Sequence, residues 1–398
     1  MQGKADVLIC GGGIIGFTIA RELLKRGHEN IVILEKEKSP GEHASGRNSG
    51  VLHAGIYYTP DSLKAQFCLK GNFLMKEYCR EKDIPVLESG KVIVTRNEKE
   101  IPALKELYQR ALKNGARAEL IAVEQLRRIE PYAKTCEVAL YSPDTAVINP
   151  KRVLYSIEMD LVSSGEVRIL KGYEFRGLKG NNEAVTNNGN IHFDMFINAA
   201  GSYSDKIAHA FGSGLNYRII PFKGTYKKLK REKSYLVKGS IYPVPDIRHP
   251  FLGVHFTRVI DGTVYAGPTA IPAFGRENYG VLGGINVEVF QILLRDMILL
   301  FKNPQFRNLA FTESKKYATR SFFEDIKDLI ENLSPEDIEP SDKVGIRPQL
   351  VDWKSKELVS DFVVEKSENS IHILNAVSPG FTSSMAFAEF VADKYLKP

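Results

Sequence analysis

Cysteine is scarce in this 398-residue chain: Cys10, Cys68, Cys79 and Cys136 are the only four, and all lie in its first half. No two form a CxxC pair and no Cys/His group has zinc spacing, so neither a disulfide framework nor a metal site is expected. Long apolar runs are also missing. The longest, such as Met297–Phe301, fall far short of the roughly 18 residues that span a bilayer. The chain enters a strand-like stretch, Ala5–Cys10, with no basic segment, apolar stretch and cleavage site ahead of it. A reducing, cytoplasmic setting is therefore expected. Internal repeats, low-complexity segments and linkers are absent as well. Net charge is only +6, and the basic excess gathers in Lys223–Lys233. That run reads as a solvated hairpin face, or as a surface making peripheral contact with anionic lipid. No nucleic-acid-binding module accompanies it, so nucleic acid is not an expected partner.

The most informative segment is the first thirty-five residues. Val7-Leu8-Ile9 runs into Gly11-Gly12-Gly13-Ile14-Ile15-Gly16, and a helical pattern follows with Ile15, Ile19, Ala20, Leu23 and Leu24 on one face. Gly27 supplies a helix stop and Ile31–Glu35 a second strand. Strand, glycines, helix and strand in that order predict a dinucleotide-binding βαβ unit. Gly11 permits the tight turn, Gly13 lets backbone N–H groups approach a diphosphate, and Gly16 lets the helix pack against the strand. The helix N-terminus adds partial positive charge. Glu35 stands 19 residues (35 − 16) beyond Gly16, near the spacing of an acid that accepts hydrogen bonds from the adenosine ribose. A second candidate is the apolar run Phe193–Ile197 ending in Asn198-Ala199-Ala200-Gly201, with a helical pattern from Ser204. Small residues at a strand's carboxyl end let a ligand approach.

At this length two lobes are expected. Lys91–Thr95 reads as a strand, and Ile101–Leu112 and Val123–Ile129 as amphipathic helices. Between Tyr217 and Asp261 the pattern is one of short strands, Tyr235–Val237 and Gly253–Thr257 among them, and Thr263–Ala266 follows the Asp261-Gly262 turn. Helices are expected again at Val287–Lys302, Glu313–Asn332 and Ser384–Tyr395. The fold class is therefore α/β, a Rossmann-like lobe interleaved with an α+β lobe built on an antiparallel sheet.

The block Ala44-Ser45-Gly46-Arg47-Asn48-Ser49-Gly50-Val51-Leu52-His53-Ala54-Gly55-Ile56-Tyr57-Tyr58 resembles the D-amino-acid oxidase class of FAD enzymes. Within that class the chain is most similar to the L-2-hydroxyglutarate dehydrogenase (oxidase) family. His249-Pro250-Phe251-Leu252-Gly253-Val254-His255-Phe256-Thr257, Tyr265-Ala266-Gly267-Pro268, Gly345-Ile346-Arg347-Pro348 and Asn375–Gly380 agree in the same order. Lys223, where the family more usually has arginine, and Arg258-Val259-Ile260, in place of a proline-containing turn, depart from its pattern.

The resemblance implies an FAD-binding domain from residues 1–85, 145–215 and 340–398, and a substrate domain from 86–144 and 216–339. It adds Ile14, Ile15, Lys36, Arg47, Asn48, Ser49, Gly50, Val167, Ala200, Gly201 and Gly380-Phe381-Thr382-Ser383 to the flavin contacts. The last four open a helix whose N–H groups would face the flavin O2 edge. The early position of Cys136, the last cysteine, argues against a thioether-linked flavin. The implied reaction takes a small 2-hydroxy acid, L-2-hydroxyglutarate, to 2-oxoglutarate by hydride transfer to flavin N5. Its electron acceptor would be a quinone or oxygen. Arg347 is the candidate for the substrate carboxylate, since arginine offers two parallel N–H bonds. His53 and His255 are the candidate bases. His43 reads as structural or near the diphosphate. Tyr57, Lys64, Lys223, Arg258 and Tyr265 are candidates for the rest of the substrate site. The same scaffold could instead oxidise glycine, sarcosine, another amino acid or glycerol 3-phosphate, or serve as a flavin-bearing subunit without catalysis.

Overall fold

In the computed structural model, residues 4–245, 252–281 and 283–396 are described. The chain divides into two compact units, one of residues Met1–Asn48, Pro150–Pro221 and Arg347–Pro398, the other of Ser49–Asn149 and Phe222–Ile346.

In the first unit, β1 (Ala5–Cys10) lies between the parallel strands Gly189–Asn198 and β2 (Ile31–Glu35). Val167–Lys171 extends the parallel array beyond β2, and Ser370–Asn375 extends it beyond Gly189–Asn198. Every residue of β2 is buried, as expected of a parallel strand covered on both faces. The helix α1 (Ile14–Lys25) packs against the helices Pro150–Ser163 and Gly380–Tyr395. It ends where His28 N–H reaches Leu23 O at 3.1 Å and Gly27 N–H reaches Leu24 O at 3.0 Å. Gly27 there has φ of +81°, the left-handed C-terminal closure that glycine adopts without a Cβ penalty. The antiparallel strands Phe175–Lys179 and Glu183–Thr186 continue the sheet from the start of Gly189–Asn198.

The second unit is built on a larger sheet, in which Val264–Gly267, His255–Arg258, Ser240–Pro243, Lys91–Val94, Val138–Ser142 and Glu119–Ala122 are successive neighbours. It is mostly antiparallel, as the sequence suggests, but Ser240–Pro243 and Lys91–Val94 pair in parallel. Alternation sorts its faces. Val92, Val94, Ile241, Phe256 and Ala266 pack with Phe322 and Ile326 of the helix Thr319–Ile326. Ile93 and Tyr242 pack with Leu104, Leu107 and Ala111 of the helix Ile101–Lys113.

Three expectations need correction. Residues 49–85 group with the second unit, because Asn72, on the helix Leu63–Glu81, donates to the carbonyls of Leu52, His53 and Asp144. Tyr235 and Leu236 belong to a short 3-10 helix, Arg231–Leu236, rather than to a strand. The helix expected over Glu313–Asn332 is broken into Pro304–Ser314, Lys315–Tyr317 and Thr319–Ile326. His249, Pro250 and Phe251 lie outside the described residues. Among the described residues, no helix is long and apolar enough to cross a membrane.

Candidate active site

The glycine turn of the first unit is shaped by what surrounds it. Gly11 N–H donates to Leu34 O at 2.8 Å, Ala199 N–H donates to Cys10 O at 2.9 Å, and Gly11 has φ of +120°. A Cβ on Gly11 would stand 2.4 Å from Ala199 O, and one on Gly16 only 2.0 Å from Gly11 O. Both glycines are therefore required by the chain's own close approach. Ile14 N–H donates to the Ser45 hydroxyl at 3.0 Å, and the first turn of α1 carries no acidic side chain. Nothing in that turn would repel a diphosphate at the N-terminus.

Glu35 has a second task beyond the one read from spacing. Its two carboxylate oxygens accept Gly12 N–H at 3.0 Å and Glu37 N–H at 2.8 Å, so it also fastens the glycine turn to β2. Burial raises its carboxyl above the usual range, and the two N–H bonds pull it back down. Each oxygen has a further lone pair with which to accept a ribose hydroxyl. Lys36 and His43 both meet Glu37, and Lys36 Nζ lies 5.5 Å from the Tyr203 ring centroid.

Val167 does not fit the role expected of it. It pairs with Ile31 at the start of β2, while Glu35 pairs with Lys171 at the other end. Ligands in such sheets sit outside the carboxyl ends of the strands, so Val167 is one strand-length away. Gly172 and Tyr173, whose N–H groups donate to Glu37 O and Glu35 O at 2.9 Å each, are at the correct end. Ala200 and Gly201 are well placed, following Asn198 at the end of its strand, where Asn198 Oδ1 accepts Ala200 N–H at 3.2 Å.

The helix Gly380–Tyr395 begins with Gly380, Phe381, Thr382 and Ser383, four residues earlier than its apolar pattern suggests. Ser383 and Ser384 have buried hydroxyls with no hydrogen-bond partner among the described residues. An added Cβ at Gly380 would meet nothing within 4 Å, so the chain's own packing does not demand this glycine. Open space at a helix N-terminus, with buried hydroxyls close behind, fits an anionic heterocycle edge. Arg347, half-buried, lies in the strand Ile338–Asp352. Arg47 Nε donates to Glu42 O at 2.6 Å, and Asn48 Nδ2 donates to Ser45 O at 2.7 Å. Both side chains bind the loop to itself. The boundary between units falls after Asn48, leaving Ser49 and Gly50 in the second.

In the second unit, His53 directly follows the short strand Val51–Leu52, and its ring is buried. Its carbonyl accepts Asn72 Nδ2 at 3.0 Å and the Cys68 thiol at 3.3 Å. His255 has Nδ1 2.7 Å from Gly253 O, an arrangement that places the proton on Nδ1 and leaves Nε2 as an acceptor. Its ring stacks on Tyr242 with centroids 3.6 Å apart.

Lys91, which sequence reasoning passed over as the first residue of a strand, joins this group. Its Nζ is buried with no hydrogen-bond partner among the described residues, 4.3 Å from the Tyr57 centroid and 4.8 Å from that of Tyr242. The hydroxyls of Ser240 and Thr257, cross-strand neighbours, are likewise buried without partners. Lys64 belongs to the same neighbourhood, since the Cys68 thiol feels both Lys91 and Lys64. Lys223 and Tyr265 are not brought together. Lys223 pairs with Ile271 and donates to Gly280 O at 2.7 Å, whereas Tyr265 pairs with Lys228 and faces Lys343, whose Nζ is 4.5 Å from its ring centroid. Arg258 is spent on the carbonyls of Ser234 and Val237.

Part of the run Lys223–Lys233 is drawn into contacts within the chain, while Arg231 stays exposed. Lys223 is buried, Lys227 meets the Thr319 hydroxyl, and Lys228 and Lys233 pair with Glu339 and Asp337.

Lys91 makes a testable contribution to stability. Each ring contact returns up to about 2 kcal/mol, whereas burying an ammonium costs several kcal/mol, and burial pushes its pKa down to about 7. The unfolded value is about 10.4, so between the two the unfolded chain binds more protons and stability rises with pH. Below about 7 the penalty is complete. Lys91→Met should therefore raise Tm by a few degrees at pH 6 and by much less at pH 10. Thermal unfolding at both pH values checks this, and an equal shift at each contradicts it.

Residues 6–394 match the model of the FAD-dependent oxidoreductase family. L-2-hydroxyglutarate dehydrogenase, mitochondrial, of Mus musculus is 39% identical over 96% of this chain and 87% of its own length. The Nematostella vectensis protein of the same name is 40% identical, covering 98% and 90%. L-2-hydroxyglutarate dehydrogenase of Indibacter alkaliphilus is 34% identical, covering 98% and 99%. Among solved structures, FAD-bound L-alpha-glycerophosphate oxidase of Mycoplasma pneumoniae has a TM-score of 0.77 at 22% identity, over 98% of this chain and 94% of that one. Glycine oxidase of Geobacillus kaustophilus has a TM-score of 0.73 at 18% identity, covering 99% and 94%. These two share the fold. Together with the glycine cradle, the comparisons show that the chain belongs to the D-amino-acid oxidase family of FAD-dependent oxidoreductases and is an enzyme of the L-2-hydroxyglutarate dehydrogenase type.

Proposed function

We propose that this chain oxidises L-2-hydroxyglutarate to 2-oxoglutarate. The observation that carries the reading is the near-full-length likeness, at 34% to 40% identity, to relatives bearing that substrate in their names. The FAD is held by Gly11, Gly13, Ile14, Ile15 and Gly16 at its diphosphate and by Glu35 at its ribose. Residues Arg47–Gly50, Ala200, Gly201 and Gly380–Ser383 contribute further contacts. When bound, the flavin supplies the hydride acceptor at N5. Arg347 receives the substrate's C1 carboxylate in a bidentate pair. His53 takes the hydroxyl proton as C2 becomes a carbonyl, and His255 is the second candidate for that proton. The distal carboxylate calls for another cation, for which Lys64, in the neighbourhood of Lys91 and Tyr57, is the first candidate, with Lys223 and Tyr265, each held elsewhere by Gly280 O and Lys343, as separate alternatives.

The reducing equivalents then pass to a quinone or to oxygen. All four cysteines are free thiols, which suits a reducing compartment. The mouse and N. vectensis relatives are named as mitochondrial and the I. alkaliphilus one is not. For this chain we infer a cytoplasmic setting with peripheral contact to the membrane.

Arg347→Ala should chiefly raise KM, by a factor corresponding to about 2–4 kcal/mol if the charge pair is desolvated. Unaltered steady-state kinetics would show that another cation binds the carboxylate. The reading as a whole is tested by a substrate panel with an artificial electron acceptor. Turnover of L-2-hydroxyglutarate should exceed that of glycine, sarcosine and glycerol 3-phosphate. Preference for any of those would assign the scaffold to that substrate instead.

A further inference from the structure

Lys91 is a buried cation without a counter-ion, and the hydroxyls near it are unsatisfied as well. Its Nζ, Ser240 Oγ, Thr257 Oγ1 and Tyr57 Oη are all buried with no hydrogen-bond partner among the described residues. Lys91 and Ser240 are each 1% exposed and Thr257 is 3% exposed. Buried polar groups in folded proteins nearly always have partners, so a group of orphans calls for a reason. Register brings them together. Ser240 pairs with Thr257, and Lys91 and Ser240 each stand one residue before Val92 and Ile241, which pair in parallel. Alternation puts Lys91, Ser240 and Thr257 on the sheet face that also carries Tyr242 and His255. Tyr57, from outside the sheet, brings its ring centroid to 4.3 Å from Lys91 Nζ.

A lysine buried for structure alone would have its charge matched. Among the described residues no carboxylate meets Lys91, and the titratable group it feels is the Cys68 thiol, which burial pushes up to about 12 and so keeps neutral. Two ring contacts do not repay the burial of an ammonium. A fold keeps such a costly group where function needs it. The position agrees, since Lys91 Nζ lies 4.8 Å from the centroid of Tyr242, the ring on which the candidate base His255 stacks. An ionised carboxylate would supply the missing charge. It accepts at about four lone-pair positions, enough for the ammonium and the three hydroxyls together.

We infer that Lys91, with the hydroxyls of Ser240, Thr257 and Tyr57, receives the distal carboxylate of the substrate and thereby selects a dicarboxylic 2-hydroxy acid over a monocarboxylic one. The inference rests on the reading of the substrate as L-2-hydroxyglutarate, and it gives the distal carboxylate to Lys91 ahead of Lys64 and Lys223.

Lys91→Met tests it in the flavin-loaded full chain, because that variant is expected to fold and to gain stability. L-2-hydroxypentanoate carries a methyl group where L-2-hydroxyglutarate has its distal carboxylate. The ratio of kcat/KM for L-2-hydroxyglutarate over L-2-hydroxypentanoate should fall by about a hundredfold or more in Lys91→Met. Calorimetric titration with 2-oxoglutarate and 2-oxopentanoate should show the same loss of preference. Ser240→Ala/Thr257→Ala should lower the ratio by about tenfold. A merely structural lysine would affect both acids alike, so an unchanged ratio in Lys91→Met overturns the inference. A larger fall in Lys64→Met or Lys223→Met also overturns it. If the wild type fails to oxidise L-2-hydroxyglutarate yet binds 2-oxoglutarate in a way that Lys91→Met abolishes, the substrate reading fails and the carboxylate site stands. If binding of glycerol 3-phosphate, and not of 2-oxoglutarate, depends on Lys91, the site takes a phosphate and the inference is wrong.

Discussion

Gly16→Val is expected to give a folded protein without its yellow cofactor. The space a Cβ would need is already taken, 2.0 Å from Gly11 O, with the Ile9 side chain 3.4 Å away. Backbone rather than a flexible side chain stands in the way, so α1 must move off β1. Its N-terminus then no longer points at the diphosphate. With several N–H contacts and the helix-end charge lost together, FAD affinity should fall by about a hundredfold or more. Gly27→Ala is the matching control. Gly27 has φ of +81° but no atom within 4 Å of an added Cβ, so that change should cost about 1 kcal/mol of stability and leave the flavin in place. Flavin absorbance after reconstitution, beside far-ultraviolet circular dichroism, separates the two. Full flavin content in Gly16→Val would contradict the phosphate-binding assignment.

The second large effect is expected at His53. His53→Ala should lower kcat by about a hundredfold to ten-thousandfold while changing KM little. The scaffold should survive, because Asn72 and Cys68 hold the His53 carbonyl rather than its ring. His255→Ala loses the stack on Tyr242 and should cost less. Rapid-mixing measurement of flavin reduction in both variants decides the matter. A greater loss at His255 would transfer the role of base to that residue, whose Nδ1 is already oriented by Gly253 O.

The parts legible in the sequence were those set by local, repeating physics. The order of β1, the glycines, α1 and β2 could be read because each element carries its own pattern within thirty-five residues. Val123–Ile129 matched its helix end to end for the same reason. Long-range pairing was not legible. Val167 was counted among the cofactor contacts without knowing that it pairs with Ile31 rather than with Glu35. Likewise, Leu63–Glu81 joins the second unit through Asn72, a polar residue that no apolar periodicity would single out. Lys91 was read only as the first residue of a strand. Only the pairing of its strand with Ser240–Pro243 buries it between Tyr57 and Tyr242. In the basic run Lys223–Lys233, burial of Lys223 and pairing of Lys228 and Lys233 were not legible, and the exposed apolar residues Phe290, Leu294, Met297 and Phe301 were read only as part of a helix.

The most direct test of the catalytic account is the absorbance spectrum of the FAD-loaded protein, recorded without oxygen before and after adding L-2-hydroxyglutarate. Bleaching of the oxidised-flavin bands, with release of one 2-oxoglutarate per flavin, is the predicted result. A spectrum unchanged by this acid, but bleached by glycine, sarcosine or glycerol 3-phosphate, would contradict it.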